Sequence, residues 1–373
     1  MYFSRRKPLD STRTLALALT FYYNRQMSSI TFQRLSPANA KKTAIFMAML
    51  ALMAITAACR KKSSSLKDTT SILVVSYDPG RPIVKEANRV FVEESSQRGA
   101  PIAVRESFGG SAKQAQAVVD GLAADVILLG IADDARALVA NGVLRPESVQ
   151  TAPFTSTVVF VVRKGNPQGI HDWRDLVKEG VALVAPSPKT ASAAKLTYLA
   201  AWGWALRQPG GNEQTARALV AALYTKAVVL DATARAASTT FVQNGIGDVL
   251  VTWENEAYLA QKEQPDKSLE IVRPSLSIRA CPVLAIVDSQ VEAHGTREAA
   301  ARYIALFSTD HMQEVAAQNF FHVSNPAVAD RYRAITGEVP QFTVEEVFGS
   351  WAEINAKHFG TRGIIDEILD ARR

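Results

Sequence analysis

Strand-like and helix-like stretches alternate along the chain from Ser71 onward, and this alternation restricts the fold more than any other feature. "SILVVSY" predicts a strand and "PIVKEANRVFVEESS" a helix, while "PIAVRES" and "DVILLG" predict further strands that are each followed by helical periodicity. Such alternation is typical of parallel sheets with helices packed on their faces. The sequence therefore predicts an α/β fold, and 373 residues with 47% hydrophobic side chains suffice for two domains.

The net charge of +6 does not indicate a nucleic-acid partner, because the excess lies near the N-terminus. Residues 1–59 hold eight of the 42 Lys and Arg residues but only one of the 36 acidic residues, Asp10. The remainder is close to neutral and shows no basic stripe that would follow a phosphate backbone. We therefore expect no nucleic acid among the partners of this protein.

Residues 1–59 have the organisation of an export leader. "KKTAIFMAMLALMAITAAC" contains a positive pair, an uncharged apolar run and small residues before Cys59, as in a secretory signal. "TAAC" resembles the lipobox of bacterial lipoproteins, which predicts lipidation of Cys59 and a membrane anchor on an exported protein. The apolar run is short for a membrane span, and an uncleaved N-terminal anchor is the alternative. The polar, serine-rich residues 60–70 are predicted to be a tether.

Four strand-to-helix turns are candidates for an anion site. In "ESFGGSAKQAQAVVDGL", two glycines precede Ser111, which we predict to be an N-cap. The stretches "SYDPGRP", "SPKTASAAKL" and "LDATARAASTTF" have the same character. Helix N-termini leave N–H groups without partners and attract anions, and in open α/β sheets such turns converge beyond the carboxyl ends of the strands. Most helix caps are purely structural, so one turn alone does not decide.

These turns resemble those of the periplasmic sulfate/thiosulfate-binding proteins of ABC importers. The resemblance extends over residues 71–368 and includes "VSYDPGR", "GGSAKQAQAVVDGLAADV" and "STTFVQNGIGDVLVTWENEA" in the family order. It implies a two-lobed periplasmic binding protein fold of type II that closes over one tetrahedral oxyanion in the cleft between its lobes. We expect residues 71–154 and 255–325 to form lobe 1, residues 155–254 to form lobe 2, and residues 326–373 to pack as helices across both.

The resemblance also implies ligand-binding positions. Asp78 and Ala234 would each give a backbone N–H, with the Asp78 carboxylate turned away toward other donors. Ser111 would donate from the glycine turn, and the Trp253 indole N–H would point at the ligand. By residue type alone, Trp253 is more readily interpreted as a core aromatic, and the resemblance reverses that interpretation.

One turn departs from the family pattern, which commonly has Thr-Ser-Gly-Gly-Ala-Arg. Here Ala191 replaces the ligating serine, and Ser192 and Ala193 stand where glycines allow a close approach of the backbone. We expect the N–H donors of this turn to remain. The hydroxyl of Ser192 is predicted to compensate in part for the one missing at Ala191. The cations Lys113, Lys195 and Arg235 are interpreted as solvated charges rather than ligands.

The predicted function is capture of sulfate or thiosulfate outside the cytoplasmic membrane and its delivery to an ABC permease. Sulfate only accepts hydrogen bonds near neutrality, so a site built of donors suits it, whereas phosphate keeps a proton that needs an acceptor. We expect a monomer without enzymatic activity, cofactor or metal.

Two alternatives remain open. One is the same fold selecting molybdate, tungstate or another oxyanion. The other is a serine acyl-transfer enzyme, because Ser192 and Lys195 fit the pattern S-x-x-K, although S-D-N and K-T-G are absent. Asp133 and Asp134 are interpreted as a helix cap rather than a metal site. Cys281, in "RACPVLAIVD", is predicted to be a packed free thiol on one buried strand.

Overall fold

The computed structural model describes residues 70–265 and 269–372. The predicted leader, the lipidation position Cys59 and most of the tether lie outside the described residues. The strands are β1 (Ser71–Tyr77), β2 (Ala103–Gly109), β3 (Val126–Leu129), β4 (Gln150–Thr151), β5 (Phe154–Val162), β6 (Leu183–Pro186), β7 (Val229–Asp231), β8 (Val249–Trp253), β9 (Glu270–Val272), β10 (Ser277–Ala280), β11 (Val283–Ile286), β12 (His322–Val323) and β13 (Gln341–Phe342).

Helices connect most of these strands. They are α1 (Arg81–Gln97), α2 (Ser111–Val119), α3 (Ala132–Ala140), α4 (Ser192–Leu206), α5 (Glu213–Lys226), α6 (Ala234–Ser238), α7 (Glu254–Glu263), α8 (Asp288–His294), α9 (Arg297–Leu306), α10 (Asp310–Gln318), α11 (Pro326–Thr336), α12 (Val344–Phe348), α13 (Trp351–Ile354) and α14 (Ile364–Asp370). No helix within the described ranges is both long enough and apolar enough to cross a membrane.

The first sheet has the strand order β2-β1-β3-β11-β4. Strand β1 runs parallel to β2 and β3, because a helical crossover separates each consecutive pair. Its residues are almost all buried, as expected for a strand covered by helices on both faces. Strand β11 returns from much later in the chain and pairs antiparallel with β3 and β4.

The second sheet has eight strands, with β13-β10-β5-β8-β6-β7 as its main order. The long strand β5 pairs antiparallel with β8, β9, β10 and β12, whereas β6 is parallel to β7 and β8. Helix α4 is buried on nearly all sides, because its sequence is apolar around the whole circumference. The predicted α/β class with two sheets flanked by helices is confirmed.

Two short segments carry the chain between the sheets. Ala152 and Pro153 join β4 to β5, and Cys281 and Pro282 join β10 to β11. The Ala152 N–H donates to the Pro282 carbonyl at 2.8 Å, so the two segments lie side by side. We call these four residues the proline crossing.

The prediction of a single buried strand around Cys281 is wrong. Pro282 has no N–H to donate to a strand ladder, and the chain changes sheets there, with β10 in the second sheet and β11 in the first. Cys281 is a free, partly buried thiol, and burial raises its pKa.

The C-terminal part packs aromatic side chains against helix α4. Tyr198 and Trp202 stack with ring centroids 5.6 Å apart, and His358 meets Trp202 edge-on at 4.6 Å. Phe359 lies 5.0 Å from the Tyr198 ring. Within this aromatic cluster, the Tyr198 hydroxyl and His358 Nδ1 are joined by a hydrogen bond of 2.9 Å, so its buried polar tips have partners.

Candidate functional site

A small cavity lies where turns from the two sheets face each other. Its volume is about 50 Å³, and a single water needs roughly 10–15 Å³ of such space, so it admits a ligand of only a few heavy atoms. The carboxyl ends of β1, β2, β6, β7 and β8 all reach it, directly or through the turn that follows. The structure brings together all the predicted ligand-binding positions in its lining: Asp78, Ser111, Ala191, Ser192, Ala193, Ala234 and Trp253.

The glycine turn begins its helix one residue earlier than predicted. The N-cap of α2 is Gly110, whose backbone is extended, and Ser111 is the first helical residue. The predicted N-cap role of Ser111 is therefore wrong. Instead, Ser111 Oγ accepts a hydrogen bond of 2.8 Å from the N–H of Gly130, which follows β3. The first intrahelical bond runs from Gln114 N–H to the Gly110 carbonyl, which leaves the preceding N–H groups free for a ligand.

Asp78 begins a short 3-10 turn directly after β1. Its Oδ1 accepts a hydrogen bond from the Arg81 guanidinium at 2.6 Å. This pairing occupies the carboxylate with a cation of its own turn. The backbone of Asp78 therefore contributes to the cavity wall without an unpaired negative charge.

The turn that departs from the family pattern, which includes Ala191, Ser192 and Ala193, supplies backbone N–H groups but no hydroxyl at Ala191. We call it the departing turn. Ala191 is the N-cap of α4, with an extended backbone and no side chain to cap the helix. Ala194 N–H donates to the Ala191 carbonyl at 3.0 Å, so the N–H groups of Ser192 and Ala193 precede the first bond of the helix. Both residues line the cavity. The turn thus keeps the kind of donor that an anion uses.

A third helix start and one indole complete the second-sheet wall. Thr233 caps α6 through its Oγ1, which accepts from Ala236 N–H at 3.1 Å, and Ala234 is the first helical residue. The Arg235 guanidinium turns to Glu263, 2.9 Å away. Trp253 ends β8 and is 2% exposed, yet its indole Nε1 has no hydrogen-bond partner within the described residues. A buried donor left unpaired costs about 1–3 kcal/mol, so this wall suits a ligand that accepts hydrogen bonds.

Among the lining residues that sequence reasoning did not propose as ligands, Tyr77 and Glu256 bear most on binding. Tyr77 is the last residue of β1, and its position in an apolar strand predicted only that its side chain packs in the hydrophobic core. Its hydroxyl is buried without a partner among the described residues. Burial raises the pKa of the Glu256 carboxyl to about 7, aided by the charges of Glu263 and Asp78 and opposed by Arg235. Glu256 follows Trp253 at the start of α7, a position that the sequence could have indicated.

The family model described as bacterial extracellular solute-binding protein matches residues 72–322. The chain belongs to that family.

Several curated relatives of this solute-binding protein match nearly their whole length. A sulfate-binding protein of Escherichia coli (strain K12) is 41% identical over 312 residues, which are 82% of this chain and 95% of that protein. A thiosulfate-binding protein of Pseudomonas aeruginosa is 43% identical over 304 residues, 80% of this chain and 91% of that protein.

A solved structure shows the same architecture. The sulfate-binding protein SubI from Mycobacterium tuberculosis H37Rv is 31% identical, with a TM-score of 0.69, and the match covers 78% of this chain and 100% of that one. The predicted resemblance is confirmed, and with it the two-lobed fold class.

Behind the cavity of this solute-binding protein, the buried carboxylate of Asp133 forms ion pairs with Lys195 and Arg136. Asp133 is 5% exposed and accepts from Lys195 Nζ at 2.5 Å, from Arg136 Nε at 3.1 Å and from Asn355 Nδ2 at 2.5 Å. The interpretation of Lys195 as a solvated charge is therefore wrong, because its side chain is only 20% exposed and fixed in this pair. The described structure shows no hydrogen bond between Lys195 and Ser192, which a serine acyl-transfer enzyme would use.

The helix-cap interpretation of Asp133 and Asp134 is also wrong, because the N-cap of α3 is Ile131. Burial raises the pKa of Asp134 to about 6. Asp134 Oδ2 and the Ser192 hydroxyl are both buried without a hydrogen-bond partner among the described residues. Within residues 70–265 and 269–372, no group of three or more His, Cys, Asp or Glu side chains is placed to hold a metal ion.

Proposed function

We propose that this protein captures sulfate or thiosulfate outside the cytoplasm and delivers it to the permease of an ABC transporter. The observation that carries the proposal is the buried, unpartnered indole N–H of Trp253 in a cavity of about 50 Å³ between helix starts of both sheets. The names of the relatives in Escherichia coli and Pseudomonas aeruginosa, sulfate-binding and thiosulfate-binding protein, support this ligand class.

The donors in the wall explain the choice of anion. Sulfate and thiosulfate carry two negative charges near neutrality and only accept hydrogen bonds, so helix N–H groups and the Trp253 indole match them without a counter-cation. The carboxyl of Glu256 is compatible with a dianion because burial keeps its pKa near 7, and an added negative charge favours its neutral form further. Hydrogen phosphate brings a proton that competes for these donor-lined positions.

The protein acts, in this proposal, by binding and release without chemical change of the ligand. Lobe 1 would comprise residues 71–154 and 255–325, apart from β9, β10 and β12, which pair with β5. Lobe 2 would comprise residues 155–254, and residues 326–373 would pack across both. The protein would be a monomer held at the membrane by a lipid on Cys59, so that Cys59→Ser releases it into the soluble fraction.

Titration calorimetry with sulfate, thiosulfate, molybdate, tungstate and phosphate tests the ligand assignment. We expect one anion bound per chain, with sulfate or thiosulfate preferred over the others by at least tenfold in Kd. A preference for phosphate, or chemical turnover of a bound anion, would contradict the proposal. A preference for molybdate or tungstate would keep the fold assignment and change the ligand.

A further inference from the structure

Besides the Ser192 hydroxyl of the departing turn, two buried aromatic donors in the cavity lining have no hydrogen-bond partner among the described residues, and only one of them was indicated by the family pattern. The first is Trp253 Nε1, and the second is the hydroxyl of Tyr77, a residue that is 3% exposed. Other buried tyrosine hydroxyls are satisfied: that of Tyr303 donates to Asn88 Oδ1 at 2.6 Å, and that of Tyr224 donates to the Ala194 carbonyl. Tyr77 differs from these tyrosines in lining the cavity and in having no partner for its hydroxyl among the described residues.

The ring of Tyr77 is held in place by two glycines. A Cβ on Gly80 would lie 2.8 Å from Tyr77 Cε1, and a Cβ on Gly130 would lie 3.3 Å from Tyr77 Cδ2. Neither glycine has a positive φ, so their absent side chains matter for space rather than for backbone freedom. On another side the ring faces Trp253, with centroids 6.1 Å apart. The Tyr77 ring and the Trp253 indole thus lie side by side in the cavity lining.

We propose that the Tyr77 hydroxyl is a direct ligand of the oxyanion and donates a hydrogen bond to it beside Trp253 Nε1. This inference rests on the proposed function, since it names a further contact of the same site. It supplies a hydroxyl donor to a site whose turn has a methyl group at Ala191. The hydroxyl of Ser192, which is also buried without a hydrogen-bond partner among the described residues, is the neighbouring candidate.

Two properties suit Tyr77 to this role. Burial raises the pKa of its hydroxyl well above the usual 10, and the nearby charge of Glu256 raises it further, so the group keeps its proton at any physiological pH. A neutral hydroxyl donates to a dianion without adding a charge that solvent would have to compensate. A phenol has two internal rotations before its hydroxyl, and with the ring packed between Gly80, Gly130 and Trp253 little conformational entropy is lost on binding.

Tyr77→Phe tests the inference because it removes only the hydroxyl. We expect the Kd for the preferred anion, measured by titration calorimetry, to rise at least about tenfold, since hydrogen bonds to charged acceptors are among the stronger ones. The thermal stability of the unliganded variant should not fall, because no protein hydrogen bond is lost. Tyr303→Phe is the matched control: it should lower thermal stability and leave the Kd unchanged.

A double variant distinguishes a hydroxyl contact from a general disturbance of the wall. Gly80→Ala pushes the ring and should weaken binding in the parent, but should add little to Tyr77→Phe, where no hydroxyl remains to be misplaced. A Tyr77→Phe variant that binds within twofold of the parent would overturn the inference and leave the proposed function intact. A parent that binds none of the five anions would overturn both.

Discussion

The cavity and the interior behind it use the same aromatic side chains in opposite ways. Behind the cavity, Trp173 Nε1 donates to the Leu276 carbonyl at 3.0 Å, and Trp204 Nε1 lies 3.1 Å from Asp172 Oδ2 and 3.0 Å from Ser275 Oγ. At the cavity, Trp253 and Tyr77 are equally buried but have no partner among the described residues. Among these aromatic side chains, the residue type is thus uninformative, and the missing partner is what distinguishes the two at the cavity from those elsewhere.

This difference has an energetic meaning. Each hydrogen-bonded indole N–H in the interior contributes about 0.5–1.5 kcal/mol to stability, whereas a buried donor without a partner costs about 1–3 kcal/mol. The unliganded cavity therefore stores free energy that a suitable anion releases on binding. Bound anion should accordingly raise the unfolding temperature in a concentration-dependent way.

The largest expected effect comes from exchanging one indole in each region for phenylalanine. Trp253→Phe should raise the Kd for sulfate about 10–100-fold, the equivalent of about 1.5–3 kcal/mol, with little change in the stability of the unliganded protein. Trp204→Phe should do the reverse, because Asp172 and Ser275 lose a buried donor: stability falls by about 1–3 kcal/mol and the Kd stays constant. Calorimetry and thermal unfolding measure the two quantities. Equal losses of affinity in Trp253→Phe and Trp204→Phe would contradict the proposed difference between the cavity and the interior.

A second test uses the pH dependence of stability, which should have opposite signs in the two regions. Burial raises the pKa of Glu256 from 4.5 to about 7, so between these values the folded state binds more protons than the unfolded state. Its contribution to the free energy of unfolding therefore falls as the pH rises through this window. Burial lowers the pKa of His358, in the aromatic cluster, from 6.5 to about 4, so its contribution falls as the pH drops through that window.

Denaturant titrations of the parent, Glu256→Gln and His358→Asn at pH 4 to 8 measure these slopes. Relative to the parent, Glu256→Gln should gain stability as the pH rises, and His358→Asn should gain stability as the pH falls. Two difference curves of the same sign would show that the cavity wall and the aromatic cluster are not electrostatically distinct.

The smallest expected effect concerns the departing turn. Ala191→Ser should lower the Kd for sulfate by roughly threefold, because it adds one hydroxyl to a wall that already has several donors, and a net hydrogen bond contributes about 0.5–1.5 kcal/mol. Ser192→Ala, at the adjacent position, should raise the Kd by a similar factor, since the Ser192 hydroxyl lines the cavity and is buried without a hydrogen-bond partner among the described residues. This is the partial compensation predicted from sequence. An unchanged Kd in Ser192→Ala would contradict it. Both Kd values come from the same calorimetric titration.

The sequence predicted the fold class through the strand–helix alternation, whereas the positions that line the cavity were predicted through the resemblance to the sulfate/thiosulfate-binding proteins. Strand ends converge in an α/β fold, so turns as distant as those of Asp78 and Ala234 could be placed together. Tyr77 was missed because its lack of a partner is a property of the folded surroundings. Ser111 was misplaced by one position, because Gly110 adopts an extended backbone and starts the helix itself. The strand around Cys281 was wrong because local hydropathy does not show which sheet a strand joins.

The proline crossing connects the two sheets and also restricts how they can be oriented relative to each other. Each link is two residues long, and its proline fixes one of the few backbone torsions that remain. The hydrogen bond from the Ala152 N–H to the Pro282 carbonyl holds the two links side by side. The chain also returns from β11 to β12 of the second sheet through residues 287–321, so three connections together limit the relative orientations that the sheets can adopt. A restricted set of orientations reduces the conformational entropy that is lost when an anion is enclosed.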